Sequence, residues 1–250
     1  MAAAMALQQG SRIVQVLRSA AASAVATSVD LLFPKRCVGC DVEGAFLCGE
    51  CNDDLPLLEP PYCFICSQPG DLMTRLCARC WERPLRIDGI RSPYRFEGAI
   101  RSAVHSLKYR NLRAMAPVLA GLLAGFVESQ SIEADILVPA PLHPRRERGR
   151  GYNQSLLLAR ETGALLNVET SSDALRRVHN TPSQASVSSE DERLANVVNA
   201  FQASPDLVAG RRVVILDDVC TTGATLEACS LALKASGALS VQGLTVAREV

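Results

Sequence analysis

The chain has no charge excess, no long apolar run and few aromatic rings, and each absence narrows what it can do. Lys plus Arg and Asp plus Glu stand at 26 each, so attraction for nucleic acid or phosphate has to come from local clusters, not from an overall field. Aromatic residues amount to 4%, which leaves little for a surface that stacks successive bases. No stretch reaches the ~20 apolar residues of a membrane span. Histidine occurs three times. His143 and His179 each lack a visible partner for acid–base work, which argues against either being essential. Between Cys80 and Cys220 there is no cysteine at all.

What is present is more telling. Hydrophobic residues make up 48% of 250, enough for a substantial core in one large domain or a medium one with an appendage. Eight of the ten cysteines fall between Cys37 and Cys80 in four C-x-x-C pairs. The spacing is C-x2-C-x7-C-x2-C (Cys37, Cys40, Cys48, Cys51), then C-x2-C-x10-C-x2-C (Cys63, Cys66, Cys77, Cys80). Each C-x-x-C turn directs two sulfurs to one point, and two turns complete a tetrahedral thiolate site, so structural Zn2+ is the expected ion. Gly39 and Gly49 are expected to relieve the tight turns. A thioredoxin-like redox pair would need one C-x-x-C at a helix start, and a disulfide scaffold suits the pairs less well. Sequential quartets give two independent sites; crossed pairing of the four turns is also open.

The first 29 residues hold no Asp or Glu, two arginines (Arg12, Arg18) and much Ala and Ser. That is the composition of a mitochondrial transit peptide. It is also compatible with a plain amphipathic helix carrying Val14, Leu17, Ala21, Val25 and Leu32 on one stripe. Both readings stay open. With the cysteine usage, the expectation is a soluble protein of a reducing compartment, the cytoplasm.

Beyond Pro84 the pattern changes to alternating strands and helices. Ile87–Gly98 alternates as a strand, and "AIRSAVHSLKYR" and "LRAMAPVLAGLLAGFVES" carry helical spacing. Strand "ADILVPAP", helix "GYNQSLLLARETGALLN" (weakened by Gly163) and a helical start in "SEDERLANVVNAF" follow. Buried strand "RRVVILDDV", helix "TGATLEACSLALKASGA" and strand "SVQGLTVAR" close the chain. Strands alternating with helices imply a parallel sheet with crossovers. The organisation expected is a helix over 1–30, cysteine units over 31–84 and an α/β domain over 85–250.

Within that domain, Val213–Thr225 places Asp217 and Asp218 at the exit of a strand expected to be central. Ligands of such sheets bind outside the carboxyl ends of the strands. Thr221, Thr222, Gly223, Ala224 and Thr225 then open a helix, whose N-terminal amides and small hydroxyls can cradle a phosphate. Hydroxyls for the acids and phosphate for the turn together describe a sugar phosphate. A second stretch, Ile136–Ser155, follows a short strand with Arg145, Arg146, Arg148 and Arg150, read as a phosphate-gripping loop that Gly149 and Gly151 let close. Lys108 and Arg110 are secondary phosphate candidates.

"VVILDDVCTTGAT" resembles the motif of type I phosphoribosyltransferases that binds 5-phosphoribosyl 1-pyrophosphate (PRPP). The resemblance implies that Asp217 and Asp218 bind the ribose hydroxyls and that Thr221–Thr225 wraps the 5-phosphate. It also implies Mg2+ bridging pyrophosphate and ribose oxygens. Sugar hydroxyls, with Mg2+ nearby, are then the partners expected for the acid pair, which need not be neutralised by protein cations. Val138, Pro139, Pro141, Leu142, Arg148, Gly151, Tyr152, Asn153 and Gln154 resemble the pattern of the ComF family of competence and GntX-like proteins. Arg148 or Arg150 fills its arginine position. "LKYR", "TPSQ" through Gln184, and Arg193, Asn196 and Phe201 add to the match. The resemblance implies a type I phosphoribosyltransferase-like α/β fold behind a double zinc ribbon. Arg145–Arg150 and amides around Ala140 would then stabilise leaving pyrophosphate. It also implies a role beside a helicase on single-stranded DNA, enzymatic transfer to an unknown acceptor, or PRPP sensing. Cys220 reads as a small apolar filler.

Overall fold

The computed structural model describes residues 34–70, 75–178 and 200–250. The expected N-terminal helix, His179, Gln184, Arg193, Asn196 and most of "SEDERLANVVNAF" lie outside the described residues.

The strands are β1 (Gly89–Arg91), β2 (Tyr94–Arg95), β3 (Ile136–Pro139), β4 (Glu169–Thr170), β5 (Leu175–Arg177), β6 (Phe201–Ala203), β7 (Arg212–Cys220) and β8 (Ser240–Arg248). The helices are α1 (Gly49–Asp53), α2 (Ala78–Glu82), α3 (Gly98–Tyr109), α4 (Met115–Ser129), α5 (Pro144–Arg150), α6 (Gln154–Leu166), α7 (Pro205–Val208) and α8 (Ala224–Ala235). Six strands make one sheet in the order β1-β8-β7-β3-β4, with β2 also on β8. Every pairing within it is parallel. This is the α/β architecture expected from the alternating pattern, with β7 central.

Period two along β7 explains the layering. Val214 and Leu216 turn to a cluster built with Ile100, Val104 and Leu107 of α3, Leu119 and Leu123 of α4, and Leu158 of α6. Val213 and Ile215 turn the other way, toward Leu226, Cys229 and Leu233 of α8. All four are at most 2% exposed, and each such side chain contributes about 1.5–3 kcal/mol on burial. A strand covered on both faces has no room for alternating polar residues, which is why it reads as a continuous apolar run. The antiparallel pair β5–β6 stands apart on the α8 side.

Two expectations change. The arginine stretch is a short helix, α5, with Pro144 in its first turn, His143 as N-cap and Gly151 ending it at φ 80°. His143 Nδ1 accepts from the Arg145 amide at 3.1 Å, which gives that lone histidine a structural task. The second change is small: the expected strand "RRVVILDDV" extends by one residue beyond Val219. It runs through both aspartates to Cys220, paired there among the described residues with β8.

The cysteine units lie on the β1 edge of the sheet. Leu58 N donates to Pro93 O and Arg95 N to Pro56 O, both at 2.8 Å, and Ile90 N donates to Ile65 O at 2.7 Å. They occupy main-chain groups that an edge strand would otherwise expose. Val38, Phe46 and Leu47 of the first unit pack on the α3-side core.

Gly163 shows how tightly α6 meets the sheet. A Cβ there would stand 2.8 Å from Val168 O and collide with Thr170 Oγ1. Gly163→Ala is therefore expected to lower stability by about 1–3 kcal/mol, although alanine is the better helix former by up to ~1 kcal/mol. Urea denaturation measures the balance, and a stabilised variant would contradict the packing described.

Candidate functional site

The site begins where two strands part. β3 pairs with β7 from Ile136↔Val213 to Pro139↔Leu216, and the Ala140 amide makes one last bond to Leu216 O at 2.9 Å. The chain then turns away through Pro141 while β7 continues. From Asp217 onward one flank of β7 has no strand beside it among the described residues, and the space so opened is a cleft of about 630 Å3. Asn153, the N-cap of α6, holds the turn by donating from Nδ2 to Ala140 O at 3.0 Å.

Asp217 and Asp218 both line the cleft. Asp218 continues the α3-facing side of β7 and is 3% exposed. Lys108 Nζ lies 2.7 Å from its Oδ1, whereas its Oδ2 is buried without a hydrogen-bond partner. Asp217 accepts at Oδ1 from Ser155 Oγ at 2.7 Å and from the Asp218 amide at 2.9 Å. Burial first, and then the neighbouring Asp218 carboxylate, push the Asp217 carboxyl up to about 7. The expectation that the pair needs no protein cation is corrected: Lys108 is on Asp218, and it is not a phosphate ligand in this arrangement. A carboxylate buried 3% exposed needs a partner in the protein, and the end of α3 supplies it.

Above the acids the lining is cationic. Among the described residues Lys108, Arg145, Arg146, Arg150 and Arg177 share the lining with two carboxylates, so the cleft suits a ligand with several negative charges. Arg150 is steadied by Gln154 Oε1 and stacks 5.5 Å over Tyr109. Arg148 is exposed and does not line the cleft, which makes Arg150 the better candidate for the arginine position. Pro139 is buried within β3. The Ala140 amide is taken by Leu216, so it is not free to hold an anion, contrary to expectation. Sequence reasoning had Gln154 and Tyr109 only within the family pattern and passed over Ser155 and Arg177. The N-cap pattern of Asn153 was the available signal for Ser155, since it turns the first helical turn toward the strand ends.

Thr221–Gly223 form the bend between β7 and α8. Gly223 is the N-cap at φ 77°, a left-handed conformation that side chains resist. Thr222 Oγ1 accepts from the Ala224 amide at 3.3 Å. Thr221, Thr222, Ala224 and Thr225 are exposed while Gly223 is buried, and Thr225 joins the cleft lining. The turn thus offers amides and hydroxyls beside the acid pair. Cys220, 2% exposed, is buried as a filler would be, but it also accepts from Arg248 Nη1 at 2.9 Å.

The eight N-terminal cysteines form two clusters, Cys37, Cys40, Cys48, Cys51 and Cys63, Cys66, Cys77, Cys80, with sulfurs within 4.8 Å of one another. This is the sequential pairing. Cys40–Cys48 and Cys66–Cys77 sulfurs are 3.5 and 3.7 Å apart, close to the ~3.8 Å that four thiolates at ~2.3 Å from one Zn2+ would show. Burial would raise the Cys37 and Cys63 thiols, but backbone amides donate to both and bring them down to about 6 and about 7. Cys48 and Cys77 do open short helices, yet each belongs to a closed four-sulfur set. Gly39 is needed, since a Cβ would stand 2.7 Å from Cys51 Sγ; Gly49 has open space.

With this geometry, the similarity to known proteins is specific. Residues 28–81 match the model of the double zinc ribbon domain, and residues 153–249 match that of the phosphoribosyl transferase domain. The DNA utilization protein YhgH of Escherichia coli K12 is 31% identical over 72% of the chain and 81% of its own length. The chain belongs to the ComF family. Competence protein F of Haemophilus influenzae is 28% identical over 86% of the chain and 98% of its own length. Competence protein ComFC of Bacillus subtilis is 27% identical over 81% and 84%. The two cysteine clusters are accordingly zinc-binding sites. No helix among the described residues is long and apolar enough to cross a membrane.

Two outcomes test the acid pair. Lys108→Met leaves the Asp218 carboxylate buried without its cation and is expected to destabilise by about 2–4 kcal/mol. Adding Asp218→Asn is expected to restore most of that loss, as a denaturation double-mutant cycle will read. Asp217 supplies a pH dependence. Its folded carboxyl, pushed up to about 7, holds a proton that the unfolded chain has lost above about 4. The folded state therefore loses stability as pH rises from about 4 to about 7. Asp217→Asn is expected to raise the melting temperature of the ligand-free protein at pH 8 by roughly 5 °C, and by less at each step toward pH 4.

Proposed function

We propose that the cleft binds PRPP with Mg2+ and supports phosphoribosyl transfer to an acceptor. The observation that carries this reading is the acid pair on the unpaired flank of β7, with the α8 turn on one side and cationic side chains on the other. Asp217 and the orphaned Asp218 Oδ2 are acceptors suited to ribose hydroxyls. The Gly223 turn suits the 5-phosphate, and Arg145, Arg146 and Arg150 suit pyrophosphate. The same carboxylate oxygens are hard donors that fit a divalent cation of the Mg2+ kind. When bound, Mg2+ would offset charge between pyrophosphate and ribose oxygens. This chain's own residues would orient the sugar: Ser155 holds the Asp217 carboxylate and Lys108 fixes that of Asp218. A proton on Asp217 near neutral pH would let the carboxyl donate to or accept from a ribose hydroxyl.

A second reading takes its support from the names of the relatives, competence and DNA utilization, and from one surface. A cavity of about 700 Å3 adjoins the cleft and is lined by Lys108, Tyr109, Arg146, Arg150 and Tyr152 among others. Arg113 stacks 4.5 Å over Tyr152. Cations interleaved with aromatic rings suit a single-stranded nucleic acid, which a DNA-handling protein would use without transfer chemistry.

Calorimetry with PRPP and Mg2+ tests the first reading. The wild type is expected to bind, and Asp217→Ala/Asp218→Ala to lose binding. Absence of PRPP binding at millimolar ligand would overturn it. In the same titration a short single-stranded oligonucleotide is expected to leave PRPP affinity unchanged; competition would favour the second.

A further inference from the structure

The second zinc ribbon touches the phosphate turn. Arg79 lies in α2, between the metal ligands Cys77 and Cys80. From there its Nη1 donates to the carbonyl of Thr222 at 2.6 Å, one residue before the left-handed Gly223. Behind that turn the packing is close: a Cβ on Gly223 would stand 2.9 Å from Ile90 Cδ1 and 3.8 Å from Leu85 Cδ1. Ile90 is itself bound to the ribbon twice, through its amide to Ile65 O at 2.7 Å and by accepting from Ser67 Oγ at 2.6 Å. The two bonds fix the wall against which the turn rests.

The strand leading into the turn is tied to the same ribbon from the other side. Arg248, 2% exposed, donates to Gln68 Oε1 at 2.8 Å and to Cys220 Sγ at 2.9 Å. Both described partners are neutral, and a buried guanidinium calls for negative charge nearby. A four-thiolate zinc site is net anionic. Farther along, Glu227 of α8 accepts from the amides of Arg86 and Ile87 at 2.7 and 3.0 Å. That ties the first turn of α8 to the segment leaving the ribbon. Val38, Phe46 and Leu47 of the first ribbon pack on the α3 side instead.

We propose that the second ribbon forms one wall of the sugar-phosphate site, with Arg79 as a positioning residue. Arg79 holds the Thr222 peptide, so that the turn keeps the shape Gly223 requires, and brings a positive charge to the 5-phosphate end of the cleft. The thiolates of Cys77 and Cys80, closed on a metal, hold α2 and therefore Arg79 in place. The proposal rests on the PRPP reading of the turn. It adds that the phosphate end depends on the ribbon, whereas the pyrophosphate end, built on α5, does not.

Calorimetry on the full chain with ribose 5-phosphate and, separately, inorganic pyrophosphate plus Mg2+ separates the possibilities. Arg79→Gln is expected to weaken ribose 5-phosphate by about tenfold or more, to leave pyrophosphate affinity within about twofold, and to keep wild-type zinc content and melting temperature. Arg79→Lys, which retains the charge, is expected to recover part of the loss. Unchanged ribose 5-phosphate affinity in Arg79→Gln would overturn the proposal. Equal weakening of both ligands would also overturn it, because it would indicate general loosening. If the wild type binds neither PRPP nor ribose 5-phosphate, the reading of the turn itself fails, and the proposal with it.

Discussion

The parting of β3 from β7 after Leu216 is the constraint on which the site depends. Up to that residue β7 is held on both flanks, covered on both faces, and has no freedom to carry a polar side chain. One residue later it keeps β8 but loses β3, and two carboxylates become tolerable. They are not at a loose end of chain. They are in a strand still fastened to β8 as far as Cys220↔Arg248. Rigid main chain beneath reactive side chains is what a binding site needs if its groups are to be aimed before the ligand arrives.

Charge is then distributed by element. α3 places Lys108 on Asp218, α6 places Ser155 on Asp217, and α5 presents arginines from above. The acids are thus partly compensated from the α3–α6 side and left open toward the cleft. Three different helices converge there because the cleft lies at the carboxyl ends of the strands, where crossovers begin and end.

Much of this was legible in the sequence. Val213–Leu216 announces a strand buried on both faces, the cysteine spacing announces two four-sulfur sites, and the Thr–Gly turn announces a helix N-terminus. The pieces that were not legible depend on distance or composition. Lys108 and Asp218 are 110 positions apart, and nothing local to either indicates the other. The stretch Arg145–Arg150 reads as a loop because glycine and charge dominate it, yet Pro144 and the capping His143 were helix-start signals within it. The open flank of β7 depends on where β3 turns, which Pro141 hints at but does not position. Arg79 carries no mark at all; its role is visible only once α2 and the α8 turn are in one frame.

The position of β8 has a consequence for how the molecule comes together. β1 pairs with β8 alone, Gly89 opposite Gln242 and Arg91 opposite Leu244, so the ribbons have no sheet edge to rest on until a strand some 150 residues downstream is in place. Pairing over that separation is entropically expensive and slow to form. The zinc clusters, by contrast, are each closed within fewer than twenty residues and need no sheet. Two units of this chain therefore mature on separate clocks: local metal-centred knots early, and their seating against the strand that completes the cleft last.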